Sequence, residues 1–244
     1  MGSFFARDFL GPPFMLFGAA HLAALGVLVL LNIFLLRFRG SPEDTRRKVR
    51  WTLALVLWCT EASWNLWVYL TGQWTVQWML PLNLCTVLIW LTGFMLIFKN
   101  QIIYEFCYFL GIGAGIQYLM TPDLATYGFG SYRFFETFTS HGLLVTSAIY
   151  MTVVEGFRPT WKSLLRVFVV GNLYLLLMYF VNLGLHSNYL DVNGKPPTAS
   201  IFDLLPPWPY YILYIELIAI ITFLLLYLPF AIRDRRASAR TAQA

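Results

Sequence analysis

Residues 81 to 98 read PLNLCTVLIWLTGFMLIF: eighteen residues without a charge, with a proline, an asparagine and a cysteine among the first five. An uncharged apolar run of this length reads as a helix able to cross roughly 30 Å of hydrocarbon. Polar and nucleophilic groups at the head of such a helix need a partner or a purpose, because water is scarce there.

Working outward, similar runs predict helices over residues 14–36, 51–70, 78–98, 102–120, 134–154, 165–183 and 209–231. The chain is 59% hydrophobic and 12% charged, which excludes an ordinary soluble domain. The fold class expected is all-α: a polytopic membrane protein, a bundle of seven transmembrane helices forming a single integral membrane domain over residues 1–244, with a basic cytoplasmic tail at 232–244. The opening MGSFFARDFLGPP has no basic segment and no small-residue cleavage site, so the first run is expected to be retained and not to be a signal peptide. Ala6 stands where myristoylation wants Ser or Thr. No soluble domain is expected before or after the bundle.

Lysine and arginine set the orientation. Arg37, Arg39, Arg46, Arg47, Lys48, Arg50, Lys99, Arg158, Lys162, Arg166, Arg233, Arg235, Arg236 and Arg240 fall on one side, against Arg7, Arg133 and Lys195 on the other. The bias places the N-terminus outside and the C-terminus in the cytoplasm. The net charge of +5 then belongs to an inner surface facing anionic lipid heads, and no nucleic-acid site is expected. The longest outer connections, 121–133 and 184–208, are rich in turn formers and aromatics and are placed to cap a cavity between helices 2, 3 and 5. Trp74, Trp78, Tyr118, Tyr127, Trp208, Tyr210 and Tyr211 read as an outer aromatic belt.

Counted from the predicted outer starts of helices 1, 3, 5 and 7, His21, Cys85, His141 and Glu216 each lie seven residues in, roughly 10 Å deep. Glu61 and Asn65 share a face of helix 2 at that level, and Asn182 and Gln117 sit near the outer ends of helices 6 and 4. Singly, such residues are as often interhelical glue as functional groups, and a lone cysteine is most often a small core residue. Convergence from several helices favours a site. Cys59 and Cys107 lie deeper among apolar neighbours and read as packing residues, whereas Cys85 lies one turn past Pro81, where a helix dipole favours a thiolate. No two metal ligands stand at i, i+4 and no glycine-rich phosphate loop or serine elbow is present, so neither metal nor cofactor is expected. The Gly111 and Gly115 pair in GIGAG is expected to let another helix approach closely.

The series LPLNLC, TPD, SHGLL, VNLGLHSNYL and PPWPYYILYIELI resembles the YwaF-like integral membrane family across helices 2 to 7. That family includes a vertebrate transmembrane acyltransferase that remodels ether phospholipids; the androgen-induced membrane hydrolases are more distantly similar. The resemblance implies a catalytic Cys85 and His141. The chain departs from the usual GTNY element, carrying Leu185, His186 and Ser187 before Asn188 and Tyr189.

The function expected is an intramembrane lipid acyltransferase or acyl hydrolase working on phospholipid or lysophospholipid esters through Cys85 and His141. Glu61 or Glu216 would orient the histidine, Asn65 or Asn182 would donate to the oxyanion, and His21 would lend support. The alternatives are a small-solute or proton transporter using the same polar layer, or a non-enzymatic lipid-binding membrane protein. The expected partners are phospholipid, lysophospholipid and fatty acyl chains, and the expected location is the bacterial plasma membrane.

Overall fold

The protein is seen in a computed structural model that describes residues 4–196 and 201–241. The described residues form helices joined by turns, with no strand: α1 (Ala19–Leu35), α2 (Glu43–Leu70), α3 (Leu84–Phe98), α4 (Gln101–Phe106), α5 (Ile112–Met120), α6 (Tyr132–Val153), α7 (Trp161–Leu185) and α8 (Tyr211–Thr241). A π-helical stretch, Cys107–Gly111, links α4 to α5 without a break. Among the described residues four stretches are long and apolar enough to cross a membrane alone: Ala19–Phe38, Gln101–Met120, Trp161–Leu185 and Tyr211–Arg236. This is an integral, multi-pass membrane architecture. α2 and α6 are long but carry charged and polar residues, and α3 is apolar but spans roughly 22 Å at the α-helical rise.

Several ends differ from those expected, each for a local reason. α3 begins at Leu84 and not near 78, because Pro81 donates no hydrogen bond and Asn83 stays extended as N-cap (φ −68°, ψ 144°). α2 begins eight residues before Trp51, since Glu43 and Asp44 complement its N-terminus and pair with Arg46 and Arg47 one turn on. α8 continues through Pro229 to Thr241, so most of the stretch expected as a tail is helical; residues 242–244 lie outside the described ones.

The chain divides into two compact units, Met1–Phe157 and Arg158–Ala244. In the first, α6 is central and packs on α1, α2, α3 and α5. Burial explains its composition: Thr137, Ser140, Thr146 and Ser147 are shielded by protein, and Thr146 accepts a 2.9 Å hydrogen bond from Asn32 of α1. Leu119, Leu124, Phe134, Phe138 and Val145 form one apolar cluster, while Leu57, Leu88, Met95, Leu144 and Met151 are sealed inside the unit. A Cβ on Gly115 would stand 2.7 Å from Val145 Cγ2, so glycine is what lets α5 reach α6. Gly115→Leu is expected to overfill this seam and destabilise the protein by about 1–3 kcal/mol, read as a lower midpoint in detergent unfolding.

At the opposite end of the unit, Arg50 is buried and donates to Glu155 (2.5 Å), to Glu43 (2.8 Å) and to the Leu96 carbonyl at the end of α3 (3.0 Å). Lys99 joins Glu155 at 2.8 Å. The hydrogen bond from Arg50 holds the Glu43 carboxyl below the ordinary carboxylate range. Part of the basic surplus expected to face lipid heads is therefore spent inside the protein, fastening α2, α3 and the end of α6.

In the second unit α7 packs on α8, Arg158 pairs with Asp234 at 2.6 Å, and Asn172 donates to Glu216 at 3.0 Å. The outward faces are apolar: Leu173, Leu176, Leu177, Phe180, Leu217, Ile221 and Leu225 are exposed, as expected for helices bathed in lipid.

Candidate functional site

The candidate site lies in the first unit, where α2, α3, α5 and α6 converge. Cys85 is the second residue of α3, half-buried, within the first turn, whose backbone N–H groups have no partner within the helix. Its thiol is in electrostatic range of the Glu61 carboxyl on α2 and of the Tyr118 phenol on α5. The Tyr118 ring in turn stacks on the His141 imidazole of α6, with centroids 4.0 Å apart and planes 14° from parallel.

His141 has a defined tautomer. Its Nδ1 lies 3.2 Å from the Thr137 carbonyl oxygen and 3.1 Å from Ser140 Oγ. A carbonyl can only accept, so Nδ1 carries the hydrogen and Nε2 holds the lone pair. The histidine is thus built as a base at Nε2.

Around these groups stands a buried set of charges. Glu61 is 3% exposed and accepts from Asn65 Nδ2 at 2.9 Å, which is the contact their four-residue spacing implied. Glu136 is also buried, accepts from Arg133 at 2.9 Å and from Thr137 Oγ1 at 3.4 Å, and is in electrostatic range of Glu61. The Arg133 guanidinium lies 4.1 Å over the Trp64 ring, a cation–π contact that fixes its position. Glu136 and Ser140 were not among the expected site residues, and Arg133 was expected only as an outer basic residue. The signal was present, since Glu136 and Ser140 share a face at the same spacing as Glu61 and Asn65.

The remaining expected site residues have other tasks. His21 is buried, accepts from the Phe17 N–H at Nδ1 (2.9 Å), and meets the Leu119 carbonyl at Nε2 (2.9 Å); both ring nitrogens tie α1 to neighbouring backbone. Asn65 gives both amide hydrogens to Glu61, to the carbonyl at 3.1 Å and to the carboxyl. Asn182, in the second unit, is saturated: its amide donates to the Tyr189 carbonyl and Asn193, and its oxygen accepts from Ser187 Oγ and the Tyr189 N–H. It staples the turn that follows α7. Glu216 is engaged by Asn172, and Gln117 is exposed. Of the other cysteines, Cys107 is buried and accepts from Thr92 at 3.3 Å, whereas Cys59 is exposed on α2 and is not a core packing residue. The aromatic belt needs the same revision, because Tyr118 stacks on His141 and Tyr211 is 1% exposed.

The cover over the first unit includes an element that the sequence reading did not anticipate. Phe5 accepts from Trp67 Nε1 (2.9 Å), Phe4 from the Tyr132 N–H (2.8 Å), and Arg7 from the Tyr127 hydroxyl (2.6 Å), all through backbone carbonyls. Phe14 N–H reaches the Ala125 carbonyl at 3.0 Å. Residues 4–14 therefore strap the 121–131 connection to the ends of α2 and α6. Neither a groove of about 430 Å³ between α1 and α2 nor a hollow of about 50 Å³ beside Asp191 and Glu216 includes Cys85 or His141.

The TMEM164 family matches this chain over residues 16–227, from just before α1 to well within α8. The chain belongs to that family. No curated protein and no solved structure matches it. The match bears the TMEM164 description and not the YwaF-like one, and it takes in α1 as well as the helices that carried the resemblance. Its reach also includes the turn after α7 of this TMEM164-family chain, where the backbone is left-handed at His186 (φ 51°), Leu190 (φ 63°) and Asp191 (φ 50°).

Burial in that turn raises the Asp191 carboxyl to about 6, and the Tyr211 hydroxyl donates to the Asp191 backbone carbonyl. The folded turn then keeps its proton between about pH 4 and 6, where the opened turn has lost it. Its stability is greatest at the acid end of that window, falls as pH rises through it, and levels off above. Hydrogen exchange at the amides of residues 186–194, corrected for intrinsic rates, should show protection falling between pH 4 and 6, and Asp191→Asn should flatten the profile.

Proposed function

We propose that this TMEM164-family protein is an intramembrane phospholipid acyltransferase with Cys85 as nucleophile and His141 as general base and acid. Its family is that of the ether-lipid-remodelling acyltransferases, which supports the reaction class. The observation that supports the reading for this chain is that Tyr118 stacks on His141, whose Nε2 lone pair is set by its own helix, and is in electrostatic range of the Cys85 thiol in the first turn of α3.

In the first half-reaction the Cys85 sulfur attacks the carbonyl carbon of a phospholipid ester while its proton passes to His141 Nε2. The tetrahedral oxyanion faces the first-turn N–H groups of α3, because Asn65 and Asn182 are already committed. Collapse expels the lysophospholipid oxygen, which takes the proton back from His141, and leaves a thioester on Cys85. The hydroxyl of a second lysophospholipid then attacks the thioester, gives its proton to His141, and releases the thiolate to be reprotonated. A water in the acceptor's place would make the same site a hydrolase.

The proposed topology has seven membrane crossings with the N-terminus outside, which places the α3 head, His141 and the 4–14 strap toward the outer leaflet. Incubating the full-length protein with phospholipid carrying an isotopically labelled acyl chain, then digesting at mild acidity, should give a peptide with the labelled acyl mass on Cys85. A labelled acyl group found only on other residues would overturn the assignment, and no adduct together with proton or solute flux in vesicles would favour a transporter built on the buried Glu61 and Glu136.

A further inference from the structure

We propose that the groove between α1 and α2 holds one phospholipid of net negative charge, its phosphate on Lys48 and Thr45, an ester carbonyl on Thr52 and an acyl chain against the apolar walls. The groove includes neither Cys85 nor His141, so the inference stands apart from the acyltransfer reading.

The groove measures about 430 Å³, within the range of sites that take a small organic ligand. Two helical stripes face each other across it. Leu31 and Phe34 of α1, with Phe38 just beyond that helix, oppose Val49 and Leu53 of α2. Thr45, Lys48 and Thr52 also line it, and their spacings of three and four residues keep them on one face of α2. Polarity is therefore graded along α2. Thr45 and Lys48 stand nearest the connection from α1, and Thr52 lies one turn further in, roughly 6 Å along the axis. In a glycerophospholipid only the glycerol separates the phosphate from the ester carbonyls, a similar distance, and the acyl chain continues beyond.

The polar groups of this stripe are uncommitted. Among the described residues none is hydrogen-bonded to the Lys48 ammonium or to the Thr45 and Thr52 hydroxyls. Thr60, further along the same helix, returns its hydroxyl to the Val56 carbonyl at 2.8 Å, as a threonine in a helix commonly does. Thr52 makes no such bond to the Lys48 carbonyl and keeps its hydrogen for another acceptor.

Charge selects the occupant. The acids at the start of α2 are taken, Glu43 by Arg46 and Arg50 at 2.8 Å each and Asp44 by Arg47 at 3.0 Å. Among the described residues no carboxylate pairs with Lys48, nor with Arg37, whose guanidinium stands 4.9 Å over the ring of Phe34 on the facing wall. Two unopposed cations above apolar walls complement an anionic lipid. A soluble anion would leave the apolar walls bare, and a lipid without net charge would leave the cations uncompensated. On the proposed topology the groove opens to the inner leaflet, at the other end of α2 from Glu61 and Asn65.

Native mass spectrometry of the full-length protein, titrated in detergent with phosphatidylglycerol and with phosphatidylcholine of the same chains, tests the assignment. One phosphatidylglycerol should bind, at least roughly fivefold more tightly than phosphatidylcholine. Lys48→Gln and Arg37→Gln should each weaken it by roughly fivefold. Thr52→Val, which keeps the shape and removes the hydroxyl, should weaken it by a few-fold. Lys48, Arg37 and Thr52 are exposed, so the fold is not at stake in these variants. Val49→Trp, which fills the groove, should displace the lipid. Arg39→Gln removes the same charge outside the groove and should change the affinity by less than about twofold. An equal loss in Arg39→Gln and Lys48→Gln would mean general attraction to a basic surface and would overturn the site. Equal affinity for the two lipids, binding of glycerol phosphate as tight as that of phosphatidylglycerol, or a dimer that excludes lipid would overturn it as well.

Discussion

Replacing Cys85 with alanine is expected to lower acyl transfer by roughly 10³-fold or more while leaving the fold intact, since removing a covalent nucleophile leaves only binding and general polarisation. The fold should survive because Cys85 is half-buried in the first turn of α3, where alanine is at least as good a helix former and little volume is lost. Serine at this position should restore at most a trace of activity, because its hydroxyl at its free pKa is a far weaker nucleophile than a thiol. The other cysteines provide the control. Cys59 is exposed on the flank of α2 and Cys107 is sealed in the π-helical stretch against Thr92, so Cys59→Ala should be silent in both turnover and stability. Cys107→Ala should cost some stability through its small cavity but leave turnover per folded molecule unchanged. Turnover measured with labelled phospholipid and lysophospholipid, alongside unfolding midpoints in the same detergent, separates these cases. A Cys85→Ala protein at wild-type turnover would end the thioester route.

The helical runs were legible because hydropathy over eighteen or more residues is a strong signal, and α1, α7 and α8 lie close to where it placed them. Their ends were less so. Counting seven residues inward from each predicted start assumed helices beginning at 14, 78, 134 and 209, whereas they begin at Ala19, Leu84, Tyr132 and Tyr211. Pro81 and Asn83 displaced one start and Pro209 another, so the common depth given to His21, Cys85, His141 and Glu216 does not hold as measured. The Glu61 and Asn65 contact was legible because one helix carries both partners at i, i+4. The tasks of His21 and Asn182 were not, because their partners are backbone atoms of turns whose course depends on tertiary packing. A saturated asparagine and a free one look the same in sequence. Glu136 and Ser140 were overlooked for another reason: on the helix expected over 134–154 only His141 was counted into the polar layer, and the place of α6 at the centre of four other helices shows why it tolerates so many polar groups.

His141→Gln should reduce turnover by about 10²- to 10⁴-fold, the range that general acid–base groups supply. His21, the other imidazole of the first unit, has both ring nitrogens engaged with backbone. Glutamine is chosen because its amide is able to donate to the Thr137 carbonyl as Nδ1 does, so the turn of α6 and its contact with Tyr118 are disturbed as little as the change allows. The loss should therefore fall on kcat, with substrate binding largely kept. It should also appear without any substrate: a lipophilic maleimide ought to alkylate Cys85 more slowly in His141→Gln than in the wild type, since the sulfur no longer has a base to remove its proton as it attacks. Alkylation of the exposed Cys59 in the same sample, read on its own peptide by mass spectrometry, fixes the reagent's concentration in the membrane and makes the ratio independent of it. If that ratio and kcat are both unchanged, His141 is a stacking partner for Tyr118 and not a base, and the proton from Cys85 must leave by way of Glu61, the carboxyl in electrostatic range of the thiol.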